Sequence, residues 1–260
     1  MPAGLSVENG VLALADAWNH RVLLWHGLPR HSNQGADVVL GQADFVSGEA
    51  NRGYPTPDAQ TLNWCYGVAI HDGRLLVADT GNRRLLLWDH IPQRNGAPAD
   101  LVLGQSDFTT RESQGMRWPH AVCVANGILV VADAGGGGVM AWRNIPQRNG
   151  TRCDFVIAEG ALVDRPYGLA VLGRQLVVAD AANSRLFGFD TQRFETGPCA
   201  VRLAGQRGIE DGGDNRWGAV ARDSLCWPYA VSACASTLTI ADSGNNRVLL
   251  WEAALDSPGI

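Results

Sequence analysis

The stretch Ala78–Trp88 reads ADTGNRRLLLW, and it decides the architecture because the chain repeats it five times. The other copies are ADAWNHRVLLW (Ala15–Trp25), ADAGGGGVMAW (Ala132–Trp142), ADAANSRLFGF (Ala179–Phe189) and ADSGNNRVLLW (Ala241–Trp251). Their aspartates are Asp16, Asp79, Asp133, Asp180 and Asp242. They recur at a period of about fifty to sixty residues, which with β-type content indicates propeller blades rather than a helical solenoid.

Working outward, each phrase follows a short apolar segment: GLSV (Gly4–Val7), YGVAI (Tyr66–Ile70), HAVCV (His120–Val124), YGLAV (Tyr167–Val171) and YAVSA (Tyr229–Ala233). Turn residues such as HDGR (His71–Arg74) lead into a second strand, LLVAD (Leu75–Asp79) in the second copy. The phrase then turns through small and polar residues into a third strand. A fourth follows downstream as DVVLGQ (Asp37–Gln42), DLVLGQ (Asp100–Gln105), DFVIA (Asp154–Ala158) and VRLAGQ (Val201–Gln206). Four short strands joined by turns make one antiparallel blade. The reading is an all-β chain, a single β-propeller domain over 1–260. Its repeat units fall at approximately 1–45, 64–108, 118–159, 165–207 and 227–260.

These motifs resemble the NHL-repeat family of β-propellers, in the bacterial form that carries VLGQxDF. The N-x-R of the phrase is present as Asn19/Arg21, Asn82/Arg84, Asn183/Arg185 and Asn245/Arg247. VLGQxDF is complete at Val39–Phe45 and Val102–Phe108. The resemblance covers nearly the whole chain and implies the fold. It implies a choice of functions, because proteins of this kind include protein-binding modules, RNA-binding modules and a few lyases. The family more often has six blades. Five units predict a five-bladed ring, with an incomplete six-bladed ring as the alternative.

Composition narrows the choice. The chain has 260 residues, 46% of them hydrophobic, enough for a sizeable core, and its 31 glycines suit many tight turns. A formal net charge of −5 disfavours a general nucleic-acid binder, which needs a concentrated basic surface. The six cysteines form no CxxC pair and read as free thiols of a reducing cytosol. The N-terminal MPAGLSVENG lacks the features of a secretory signal, and no apolar run is long enough to span a membrane. The expectation is a cytoplasmic protein.

Residues present in every blade are expected to build blades. The Asp is expected to accept backbone N–H groups in its turn and to pair with the Arg, and the closing Trp to pack between sheets. Functional residues are then expected where the copies differ. In a propeller the first strand lines a central channel, so the residues at its start should ring the mouth: Tyr66, His120, Tyr167 and Tyr229, preceded by Trp64, Trp118, Arg165 and Trp227. Aromatic rings and one imidazole suit capture of a peptide or ligand. The third phrase replaces Asn and Arg with the tract Gly135–Gly138, leaving Asp133 without its usual cation. Two long loops share a pattern, GEANRG (Gly48–Gly53) and GGDNRW (Gly212–Trp217), and place Arg52 and Arg216 as candidate flanks of the mouth.

A catalytic reading fares worse. None of the six histidines forms an HxH, HxxxH or HExxH group. The lyases that the sequence resembles hold zinc with histidines from several blades. Here only His120 occupies an equivalent position, so neither a metal nor another cofactor is expected. The function expected is a non-catalytic scaffold or accessory subunit of a bacterial multi-protein complex that binds a protein or peptide element. A propeller lyase or hydrolase is the first alternative and an RNA-binding module the second. The fifth unit reaches only a third strand before WEAALDSPGI, and its open edge is a candidate for strand pairing or an oligomer contact.

Overall fold

A computed structural model describes residues 1–112, 115–136, 138–159, 162–194 and 200–252. Apart from short 3-10 turns, the described residues form nineteen β-strands in five antiparallel sheets, and the fold is a five-bladed β-propeller. The first blade consists of β1 (Pro2–Glu8), β2 (Val11–Asp16), β3 (Arg21–Trp25) and β4 (Val38–Leu40). The second has β5 (Cys65–His71), β6 (Arg74–Asp79), β7 (Arg84–Trp88) and β8 (Leu101–Leu103). The third has β9 (Pro119–Ala125), β10 (Ile128–Asp133), β11 (Gly138–Trp142) and β12 (Phe155–Ala158). The fourth has β13 (Pro166–Leu172), β14 (Gln175–Asp180), β15 (Arg185–Asp190) and β16 (Ala200–Ala204). The fifth has three strands among the described residues: β17 (Pro228–Cys234), β18 (Thr237–Asp242) and β19 (Arg247–Glu252). The tail that follows, 253–260, and Gly137 and Cys199 lie outside the described residues.

The chain divides into two compact units, residues 1–122 with 145–152, and residues 123–144 with 153–260. In the first, the core joins blades one and two: Val22, Leu24, Val38 and Leu40 pack with Val68, Ile70, Leu75, Val77, Leu86 and Trp88. A glycine near the start of the first strand allows such stacking, since a Cβ on Gly4 would lie 2.4 Å from the Tyr66 carbonyl oxygen. In the second unit one cluster gathers Val130, Val139, Val178 and Phe187, and another joins Leu172 and Leu186 to Leu238 and Ile240. Trp88 is buried as expected, and its indole N–H donates to the Ala97 carbonyl. Cys65 is likewise buried, and burial drives its thiol pKa far up.

The repeated polar residues form one clamp. In the second blade Asp79 Oδ2 accepts from Arg84 Nε at 2.7 Å and from Asn82 Nδ2 at 2.8 Å. The Arg84 guanidinium then donates to the backbone carbonyls of Phe108, Asp58 and Thr61. Both charges are fully buried. The same Asp–Asn–Arg set recurs at Asp16, Asp180 and Asp242. One expectation needs correcting. In the second, fourth and fifth blades Asp Oδ1 takes its backbone N–H from two residues ahead of the first strand rather than from the turn. The donors are Asn63 to Asp79, Asp164 to Asp180 and Cys226 to Asp242. The aspartate therefore ties the second strand to the start of the first, which a local turn bond would not do.

The remaining motif letters have equally concrete jobs. Gln42, Gln105 and Gln206 of the LGQ or AGQ segments donate to carbonyls at the end of the phrase turn. The Asp of VLGQxDF caps its own loop: Asp107 accepts from the Thr109 hydroxyl and N–H and from the Thr110 hydroxyl and N–H, which holds its carboxyl well below the ordinary value.

Removing one member of a buried pair leaves an uncompensated charge, at a cost of about 3–5 kcal/mol. Arg84→Ala should therefore lower unfolding free energy in urea by that amount. Arg21→Ala should cost clearly less, because the Arg21–Asp16 pair keeps side-chain exposures of 16% and 11%.

Candidate functional site

The clamp also determines how side chains are displayed. Once Asn63, Asp164 and Cys226 are bound to the aspartates, the chain must reverse at the next residue to enter the first strand. Trp64, Arg165 and Trp227 stand there with φ of 52°, 60° and 49°. Left-handed backbone costs a residue with a Cβ roughly 1–2 kcal/mol, and the clamp holds it in place. The side chain at this corner stays exposed, 45% for Trp64 and 43% for Trp227.

In the first unit the corner carries a continuous aromatic series. The rings of Trp18 and Trp64 stack with centroids 6.5 Å apart. Trp64 meets Tyr66 at 6.2 Å, and Tyr66 stacks on His120 at 4.7 Å and 18°. The series runs from 60% exposed at Trp18 to buried at Tyr66 and His120. His20 sits beside it, and its Nδ1 accepts the Trp64 backbone N–H at 2.9 Å. The structure thus brings Trp64, Tyr66 and His120 together, and Trp118 is exposed within the same unit. Trp18 and His20 were not anticipated. Their signal lay in the repeat itself: the position of Trp18 holds glycine or alanine in the other four phrases.

In the second unit Tyr167 and Tyr229 meet at 5.1 Å. Arg165 donates to the Ala134 carbonyl at 2.9 Å, and the Trp227 N–H reaches Ser184 Oγ at 3.3 Å. Ser184 is the fourth-blade counterpart of His20, so two different side chains perform the same bond.

Asp133 is fully buried, and its Oδ1 accepts from the Gly135 N–H. Gly138 stands where Arg84 stands in the second blade. Its φ is +72°, and an added Cβ would lie 2.1 Å from the Ala158 carbonyl oxygen. At Gly138 the backbone therefore runs too close to Ala158 to admit a side chain.

Arg52 and Arg216 act as braces for their own loops. Arg52 donates to the carbonyls of Gly41 and Gln42 and to Gln60. Arg216 donates to the carbonyls of Gly205 and Asp223 and pairs with the Asp223 carboxylate. The preceding asparagines exchange paired amide bonds with the phrase asparagines, Asn51 with Asn82 and Asn215 with Asn245. The shared NR pattern is thereby explained by loop construction. For metal ligation, the group close enough among the described residues is Glu8, His71 and Asp72. Both Glu8 oxygens already accept backbone N–H groups, from Asp72 and Gly73.

No family model and no curated protein matches the chain. Solved structures do. A nidogen/laminin complex is similar with a TM-score of 0.60 at 14% identity, over 98% of this chain and 77% of that one. The hydrazine synthase of Kuenenia stuttgartiensis is similar with a TM-score of 0.53 at 13% identity, over 98% and 84%. At these identities the likeness shows the fold alone, and the class it supports is the β-propeller.

Two outcomes follow from this geometry. Burial pushes the His20 imidazole below its ordinary pKa of 6.5, with Asp79 and Glu49 pulling weakly the other way. A histidine held below its unfolded value stabilises the fold above pH 6.5 and loses that contribution as pH falls through the folded value. Tryptophan emission should change on acidification below pH 6.5 in the wild type and stay flat in His20→Asn. Separately, Gly138→Ala should cost about 2–4 kcal/mol in denaturant unfolding. Gly10→Ala, also at positive φ but with open space around it, should cost about 1 kcal/mol.

Proposed function

We propose that this chain is an NHL-type propeller that serves as a non-catalytic scaffold or accessory subunit of a bacterial, cytoplasmic multi-protein complex. The observation that carries this reading is the stacked pair Trp18–Trp64, held open to solvent on a strained corner of the first unit. Indole rings fixed by stacking and by backbone clamps lose little side-chain entropy on binding, and tryptophan is enriched among residues that dominate interface energies. A flat apolar surface of this kind suits a peptide or protein segment with aliphatic or proline side chains.

Supporting the non-catalytic part, the two histidines nearest the indoles are engaged in structure. His20 receives a backbone N–H and His120 stacks on Tyr66. The balance of −5 favours a protein over a nucleic acid as the partner. One solved structure of the same fold was determined as a complex of two proteins, which is compatible with this use of the fold.

The test is affinity purification of the tagged chain from its native cells, comparing wild type with Trp18→Ala/Trp64→Ala. The double variant should keep its thermal midpoint within a few degrees and lose the principal partner. Retention of the same partners would remove the indole pair from the function. Stoichiometric zinc or calcium in the purified protein would overturn the non-catalytic reading.

A further inference from the structure

The links between third and fourth strands carry a second repeated phrase, IPQRNG, at Ile91–Gly96 and again at Ile145–Gly150. Both copies belong to the first compact unit, together with the link of the first blade at 26–37. Most of its letters are engaged inside the fold. Asn95 Oδ1 accepts the Val39 N–H at 3.1 Å, and the Gly96 N–H donates to the Val39 carbonyl at 2.8 Å. Asn149 and Gly150 repeat both bonds on Val102. The Asn-Gly pair thus clips each link onto the fourth strand of the preceding blade and covers its edge. The Gln93 and Gln147 amides donate to the Ile91 and Ile145 carbonyls. Ile91 packs on the core, and the Pro92 carbonyl meets His26 Nε2 at 3.0 Å.

The arginine is the exception. Arg94 and Arg148 are exposed, and among the described residues their guanidiniums have neither a hydrogen bond nor an ion pair. The same holds for Arg30 on the first link and Arg152 on the third. His31, Arg94 and Arg148 stand at one position of three successive links, equally far beyond Trp25, Trp88 and Trp142. A further guanidinium, Arg52, lies against Gly96, where an added Cβ would come within 2.7 Å of Nη2. It binds carbonyl oxygens rather than a carboxylate. The acids of the first two links are already occupied. Asp37 and Asp100 accept the N–H groups of His26 and Asp89, and Asp89 pairs with Arg74. On a chain of net charge −5, these links keep a group of arginines without counter-charge.

We infer that the links of the first unit form a docking rim for an acidic segment of a partner protein, gripped by Arg94 and Arg148 with support from Arg30, His31 and Arg152. Guanidinium forks match carboxylates in paired hydrogen bonds. One exposed ion pair contributes little, so the affinity rests on several arginines acting together. A short acidic stretch fits this rim better than a long polyanion does. Duplex nucleic acid carries a charge about every 1.7 Å of its axis, and it would run past the rim over a protein of its own sign. The rim includes neither Trp18 nor Trp64, so it can fail while the indole reading stands, and the reverse.

The probe is a fluorescein-labelled oligoglutamate peptide titrated with the full chain at low ionic strength. Its anisotropy should show saturable binding that weakens several-fold at physiological salt. Arg94→Glu/Arg148→Glu should weaken binding by at least about tenfold, with an unchanged circular dichroism spectrum and thermal midpoint. Arg207→Glu/Arg222→Glu makes the same change in net charge at two exposed arginines outside the links. It should leave binding within about twofold of the wild type. Absence of binding up to millimolar peptide, equal binding by wild type and Arg94→Glu/Arg148→Glu, or equal weakening by both variants would overturn the inference. Tighter binding of oligothymidylate or of phosphatidylserine vesicles than of the peptide would overturn it too, by assigning the rim to a nucleic acid or a membrane.

Discussion

The aspartate that closes each second strand is the constraint on which the blades depend. Its carboxylate is buried, and a buried carboxylate must be given hydrogen bonds and a cation or it is too costly to keep. Asp79 receives all of these: a backbone N–H from Asn63, the amide of Asn82 and the guanidinium of Arg84. Because the donors come from ahead of the first strand and from the turn into the third, satisfying one charge fixes the start of the first strand, the end of the second and the start of the third. Arg84 extends the set to carbonyls on either side of the blade. The repeat is thus a network of polar satisfaction with an apolar core built around it.

A network with this many members leaves few ways to lose one. The third blade shows how it is done. With Asn and Arg gone, the carboxylate of Asp133 takes a donor from Gly135, and Gly138 runs its backbone close to Ala158. Restoring an arginine at 138 would not rebuild the clamp, because a side chain there meets a carbonyl. Glycine is therefore part of an alternative solution rather than a gap in the pattern.

The surface assigned to binding is a by-product of the same clamp. Holding Asn63 against Asp79 forces a left-handed residue next, and the residue placed there is tryptophan. Its exposure follows from the corner, and its orientation follows from Trp18 and His20 in the preceding phrase.

The sequence by itself determined the all-β class, the five blades, the strand order within each and the pairing of Asp with Arg. Repetition at a fixed period makes these legible, since each copy confirms the others. It also marked Trp64, Tyr66 and His120 as members of a ring at the channel mouth, with His120 the departure from tyrosine. The tertiary structure decided what single copies cannot show. It put Trp18 against Trp64, although 46 residues of chain part them, because two blades stack in one unit. It turned Arg52 and Arg216 inward to brace their loops, since their guanidiniums find backbone carbonyls that no sequence pattern reveals. In the second, fourth and fifth blades it placed the aspartate's backbone donor before the first strand instead of in the turn. Strand identity is local and periodic, so the chain spells it out. The partner of a polar side chain depends on which distant segments the packed blades bring within hydrogen-bonding reach, and only the folded structure supplies that.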